Sequence, residues 1–125
     1  MNFSKINTLK DYRKDYSAFI ADWKDAVIKS NKLIIVEGKK DRIALIKLGI
    51  SSNYIRTLNA PLNSIIEMIA AEKKEVIILT DFDAHGRKLY AMLRQGFEYY
   101  GVPVDIILRE ALRKYTRVSH IEGIK

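Results

Sequence analysis

The chain has 125 residues, enough for one domain. It has no cysteine, which excludes disulfides, four-cysteine zinc ribbons and thiol nucleophiles. No apolar run approaches the ~18 residues of a membrane span, and the start lacks the apolar stretch of a signal peptide, so a cytoplasmic protein with no membrane partner is expected. The net charge is +7, and residues 84–125 carry eight bases against four acids, a surplus that favours a polyanionic partner.

In chain order, Tyr12, Tyr16, Phe19 and Trp23, continued by Val27, fall on one helical face and predict an amphipathic N-terminal helix over 8–29, with Asn31 as its stop. The aliphatic run at 32–36 predicts a strand, and a helix follows over 39–48, ended by Gly49. Residues 54–57 read as a short strand. Pro61 opens a helix to about Lys73, a place where proline is tolerated. A third strand spans 75–80, a long helix spans 84–100 and stops at Gly101, and a fourth strand spans 103–108. A basic helix then runs from near Arg109 to about Val118.

Strands alternating with helices predict an α/β fold with a four-stranded, mostly parallel sheet flanked by helices, strands one and three being neighbours. The expected organisation is a single domain over 1–125, with its core at 32–108 and a basic C-terminal segment at 109–125.

Two strand endings carry the chemistry. Leu33-Ile34-Ile35-Val36 runs into Glu37-Gly38, and Val76-Ile77-Ile78-Leu79 runs through Thr80 into Asp81-Phe82-Asp83-Ala84-His85-Gly86. In a parallel sheet these ends share the edge at which ligands bind. Three carboxylates gathered there repel one another, and a divalent cation relieves the repulsion. Oxygen donors of this kind suit Mg²⁺, with Mn²⁺ as an alternative. Glycines directly after Glu37 and three residues after Asp83 allow close approach of backbone to phosphate. An EF-hand loop starting at Asp81 fails, because His85 and Met92 occupy its fifth and twelfth positions. No Walker lysine motif is present.

Glu37-Gly38-Lys39-Lys40-Asp41 followed by Asp81-Phe82-Asp83-Ala84-His85-Gly86-Arg87 resembles the Toprim domain over residues 32–108. That domain is shared by type IA and type II topoisomerases, bacterial primases, the 5S ribosomal RNA maturase and small stand-alone proteins. The resemblance implies that Glu37 is the general acid/base, that Asp81 and Asp83 bind metal with Glu37 close by, and that Gly38 and Gly86 are the family's glycines. The chain has no room for a topoisomerase's tyrosine domain or for a primase's zinc and helicase-binding domains, so a stand-alone, primase-like or RNA-maturase-like Toprim protein is expected.

Several residues carry two readings. Lys39, Lys40 and Arg87 either bind phosphate or are solvated helix-start residues. Asp41 either supports the metal site or, the preferred reading, caps the helix that follows Glu37. His85 is either a substrate or metal contact or an exposed loop residue. Arg109, Arg113 and Arg117, with Lys114 beside them, form either a nucleic-acid-binding stripe or a solvated face. The aromatic stripe either stacks on bases or, as preferred, packs against the sheet or a second copy, the latter making a homodimer.

The function expected is Mg²⁺-dependent, nuclease-like processing of nucleic acid, with RNA favoured over DNA. The alternatives are a non-catalytic nucleic-acid or ribonucleoprotein binding module and, behind it, primase-like nucleotidyl transfer with replication partners.

Overall fold

The computed structural model describes residues 15–124. Asp15 caps the first helix, its Oδ1 accepting the Ala18 N–H at 2.9 Å. Helix α1 spans Tyr16–Ser30 and ends where Asn31 turns into the left-handed region. Phe19 and Trp23 on this helix are fully buried, and the Trp23 indole N–H donates to the Leu108 carbonyl at 2.9 Å. The aromatic stripe is therefore core packing over Phe19 and Trp23, with Tyr16 at the rim; Tyr12 lies outside the described residues.

Strand β1 (Leu33–Val36) is followed by α2 (Lys39–Lys47), a 3₁₀ turn at Ser52–Tyr54, β2 (Ile55–Thr57) and α3 (Leu62–Ala70). Next come β3 (Val76–Ile78), α4 (Ala84–Tyr99), β4 (Val104–Asp105), α5 (Ile107–Tyr115) and a 3₁₀ turn at Ile121–Gly123. Gly49 and Gly101 both sit at positive φ past helix ends, 102° and 73°, which side chains rarely adopt.

Several boundaries differ from the sequence reading: α1 starts only at Tyr16, behind its Asp15 cap, α3 ends at Ala70, short of Lys73, and β3 covers only Val76–Ile78 of the expected 75–80. The fourth strand is cut to two residues because the Asp105 carboxylate accepts the N–H groups of Ile107 and Leu108, at 2.8 and 3.1 Å, and so starts α5 at Ile107. Helix α5 then ends at Tyr115, where Thr116 turns extended, so it does not reach Val118.

The four strands form one parallel sheet in the order β2-β1-β3-β4. Ile34 pairs with Ile55 on one side and with Ile77 on the other. All four β1 residues are buried, as they must be when helices cover both faces. The strand period of two divides them between two cores. Ile34, Val36, Ile77 and Leu79 face α1, α2, α5 and the C-terminal turn. Leu33, Ile35, Val76 and Ile78 face α3 and α4.

The chain moves outward one way from β1 to β2 and the other way from β3 to β4. A crevice therefore opens past the C-terminal ends of β1 and β3, at the topological switch point. Glu37 and Asp81 lie at those two ends.

Candidate metal centre

Glu37 directly follows β1, and its Oε2 accepts the backbone N–H of Asp81 at 2.7 Å. That bond ties the two strand ends together. Asp81 Oδ1 accepts the N–H of Ile121 at 2.8 Å. Asp83 Oδ1 accepts the N–H of Gly86 at 2.7 Å and caps α4. Each of the three acids thus has one oxygen anchored by a backbone N–H. Glu37 Oε1 lies 3.7 Å from His85 Nε2, and Asp83 Oδ2 lies 3.2 Å from His120 Nε2. Asp81, Asp83 and His120 each offer one ligand atom, all within 4.8 Å of one another.

The carboxyls differ in proton affinity. Burial pushes the Glu37 carboxyl up, and the neighbouring Asp81 charge adds to this, against the opposing pull of the Asp81 N–H and of His85. Asp83 moves down, chiefly because the Gly86 N–H stabilises its anion, with His120 and His85 helping. Environments that push neighbouring carboxyls apart in this way divide proton-transfer work from charge work.

Gly86 is a correction. It was expected to let phosphate approach, but it is buried and its N–H is taken by Asp83. A Cβ at this position would sit 2.0 Å from the Asp81 carbonyl oxygen, so only glycine lets the first turn of α4 lie against the strand end. The Thr80 hydroxyl secures the same contact by donating to the Gly86 carbonyl at 2.7 Å. Gly38 stands in open space, and its N–H donates to Asp41 Oδ2 at 3.0 Å. Asp41 is accordingly the cap of α2, as preferred from the sequence. Its carboxyl is pushed up by burial, with the Asp81 and Glu122 charges adding to the effect.

The basic residues separate. Lys39, Lys40 and Arg87 are exposed beside the crevice, with Arg87 Nη1 donating to the Phe82 carbonyl at 2.7 Å. Arg109 is the second correction, because it does not lie on a surface stripe. It is 7% exposed and donates to the carbonyls of Ile78, Thr80 and Asp81 at 3.2, 2.6 and 3.3 Å. Its guanidinium lies against the rings of Phe82 and Tyr90, 4.6 and 4.5 Å from their centroids. The carbonyls draw this residue inside, where a fork of N–H donors satisfies the end of β3. Arg113 and Lys114 remain exposed on α5, Arg113 paired with Glu110, and Arg117 falls beyond the helix end. No stripe of three arginines forms.

Sequence reasoning missed His120. No local motif marks it, since it lies 37 residues beyond Asp83 and reaches the site only because the chain returns past α5. One clue was available: the chain has only two histidines, and both stand at the acid cluster. The donor set, carboxylate oxygens with an imidazole nitrogen, suits a divalent cation.

A parallel α/β domain with a glutamate at one strand end and an Asp-x-Asp pair at the next has the architecture and acid arrangement of Toprim proteins. The Toprim domain family model matches residues 32–120, and the chain belongs to that family. The match reaches past residue 108 and takes in the returning segment with His120. Among similar proteins, a UPF0292 protein of Pyrococcus abyssi is 37% identical over 114 residues, covering 91% of this chain and 84% of its own. Another, from Methanocaldococcus jannaschii, is 40% identical over 96 residues, covering 74% of this chain and 75% of its own. A solved structure of a protein from Aquifex aeolicus has a TM-score of 0.75 at 29% identity, with 83% of this chain and 96% of that one covered.

Proposed function

We propose that this chain processes nucleic-acid phosphodiesters with the help of a divalent metal, with structured RNA as the first substrate class to test. The observation that carries this reading is the joining of Glu37 to Asp81, with Glu37 holding its proton to higher pH than usual and Asp83 kept ionised. Asp81 and Asp83 would hold the metal, which supplies charge neutralisation at the scissile phosphate. Glu37 would move the proton at its Oε1, the oxygen not engaged by the Asp81 N–H. Lys39, Lys40 and Arg87 would bear on flanking phosphates, and the α2 N-terminus adds its partial positive charge.

The test is cleavage of end-labelled structured RNA, single-stranded DNA and duplex DNA with Mg²⁺, Mn²⁺ or EDTA. Wild type is expected to cut in a metal-dependent way, and Glu37→Gln and Asp83→Asn to lose cutting while remaining folded by circular dichroism. Undiminished cutting by folded Asp83→Asn would sink the reading. Salt-sensitive binding without cutting, in any metal, would mark a binding module instead.

A further inference from the structure

The C-terminal return brings more than a core residue to the acid cluster. The backbone on both sides of His120 is attached to the Asp81–Asp83 loop. The Phe82 N–H donates to the Ser119 carbonyl at 2.8 Å, and the Ile121 N–H donates to Asp81 Oδ1 at 2.8 Å. Ile121 is fully buried and locks this junction into the core. His120 itself stays half exposed, with Nε2 directed at Asp83 Oδ2 3.2 Å away. Its other ring nitrogen, Nδ1, lies 2.9 Å from the Ser119 hydroxyl. With the proton on Nδ1 donated to Ser119 Oγ, the Nε2 lone pair faces the carboxylates. Metal-binding histidines commonly have this arrangement, in which an outer partner holds one nitrogen so that the other can ligate.

We infer that His120 Nε2 is a third ligand, beside Asp81 and Asp83, and that the site consequently takes Mn²⁺ or a later first-row divalent ion in preference to Mg²⁺. The inference rests on the metal-binding role proposed above for the two aspartates. The 3.2 Å between His120 Nε2 and Asp83 Oδ2 suits it, because adjacent donors in an octahedral shell of radius ~2.1 Å stand about 3 Å apart. The chemistry sets the preference. Mg²⁺ favours oxygen donors and gives up its waters reluctantly, whereas imidazole suits borderline transition ions. His85 plays no part in this donor group. It is largely exposed and stands on the Glu37 side of the crevice.

The full chain can be titrated with Mn²⁺, followed by electron paramagnetic resonance and by competition with Mg²⁺, without any nucleic acid. Bound Mn²⁺ in wild type is expected to show nitrogen coupling in pulsed spectra. In His120→Gln the coupling should vanish, and Mn²⁺ affinity should fall by at least the roughly tenfold typical of losing even an outer partner, with Mg²⁺ affinity little changed. His85→Gln should keep the coupling. Because His120 is half exposed, its substitution is expected to leave thermal unfolding in place. Mn²⁺ binding that is lost in Asp83→Asn but shows no nitrogen coupling, and is as tight in His120→Gln as in wild type, would overturn the third ligand and leave the aspartate site standing. No binding of either ion by wild type would overturn both.

Discussion

Asp41 and Gly86 show how closely single residues are fitted around the acids. The Asp41 carboxyl is raised above its ordinary value of 3.8, first by burial and then by the Asp81 and Glu122 charges, so ionising it costs more in the folded chain than in the unfolded one. The stability linked to its protonated form is complete below about 3.8 and is lost as pH climbs through the raised folded value. Asp41→Asn keeps an acceptor for the Gly38 N–H and does not titrate. Urea unfolding across this pH range should show the variant gaining on wild type as pH rises, then levelling off; a constant difference would contradict the assignment. Gly86→Ala tests the contact between α4 and the strand end. Its methyl would meet backbone, not a yielding side chain, at 2.0 Å from the Asp81 oxygen. A loss toward the upper end of the roughly 1–3 kcal/mol range for overpacking is expected in denaturant melts, accompanied by weaker metal binding as Asp81 shifts.

At the scale of elements, α5 is coupled to β3 through Arg109. Burial lowers the proton affinity of this guanidinium, and the nearby Tyr90, Glu110, Asp81 and Glu37 act the other way. Three carbonyls at the exit of β3 and two aromatic rings compensate for its removal from water. Arg109→Met would fill the space but leave those carbonyls without their donor. Each buried polar group left unpaired costs about 1–3 kcal/mol, so the variant should unfold at clearly lower urea concentration. Arg109→Lys should not rescue it, because one ammonium cannot reproduce the planar fork. A fully rescued lysine variant would show that charge alone matters there.

The whole molecule combines a net charge of +7 with a crevice that gathers acids, so cations and acids must divide the surface. If nucleic acid enters the crevice, Lys39 and Lys40, exposed at the start of α2, are the cations nearest Glu37 in the chain. In a plot of log affinity against log salt, each phosphate contact contributes about 0.9 to the slope on a duplex and about 0.7 on a single strand. Lys39→Gln and Lys40→Gln should each reduce the slope by roughly that amount. Arg113→Gln should change it little, because Glu110 already pairs with that arginine. A larger effect at Arg113 than at Lys39 would move the binding surface to α5.

The α/β alternation, the adjacency of β1 and β3, and the meeting of Glu37 with Asp81 were legible from the sequence alone. Aliphatic runs that must be buried on both faces leave a continuous local signal, and the acids follow those runs directly. The Asp41 cap was legible for the same reason, being three residues from its partner. The tertiary structure alone decided what lies far apart along the chain. It placed Arg109 inside rather than on a stripe, gave Gly86 a packing role, and ended α5 before Arg117. It also returned Ser119-His120-Ile121 to the acid loop. Periodicity reports which face of an element is apolar, but not which distant carbonyl will draw a charge inward. Asp81 and the Ile121 N–H that anchors it are 40 residues apart in sequence, and only the folded chain makes them neighbours.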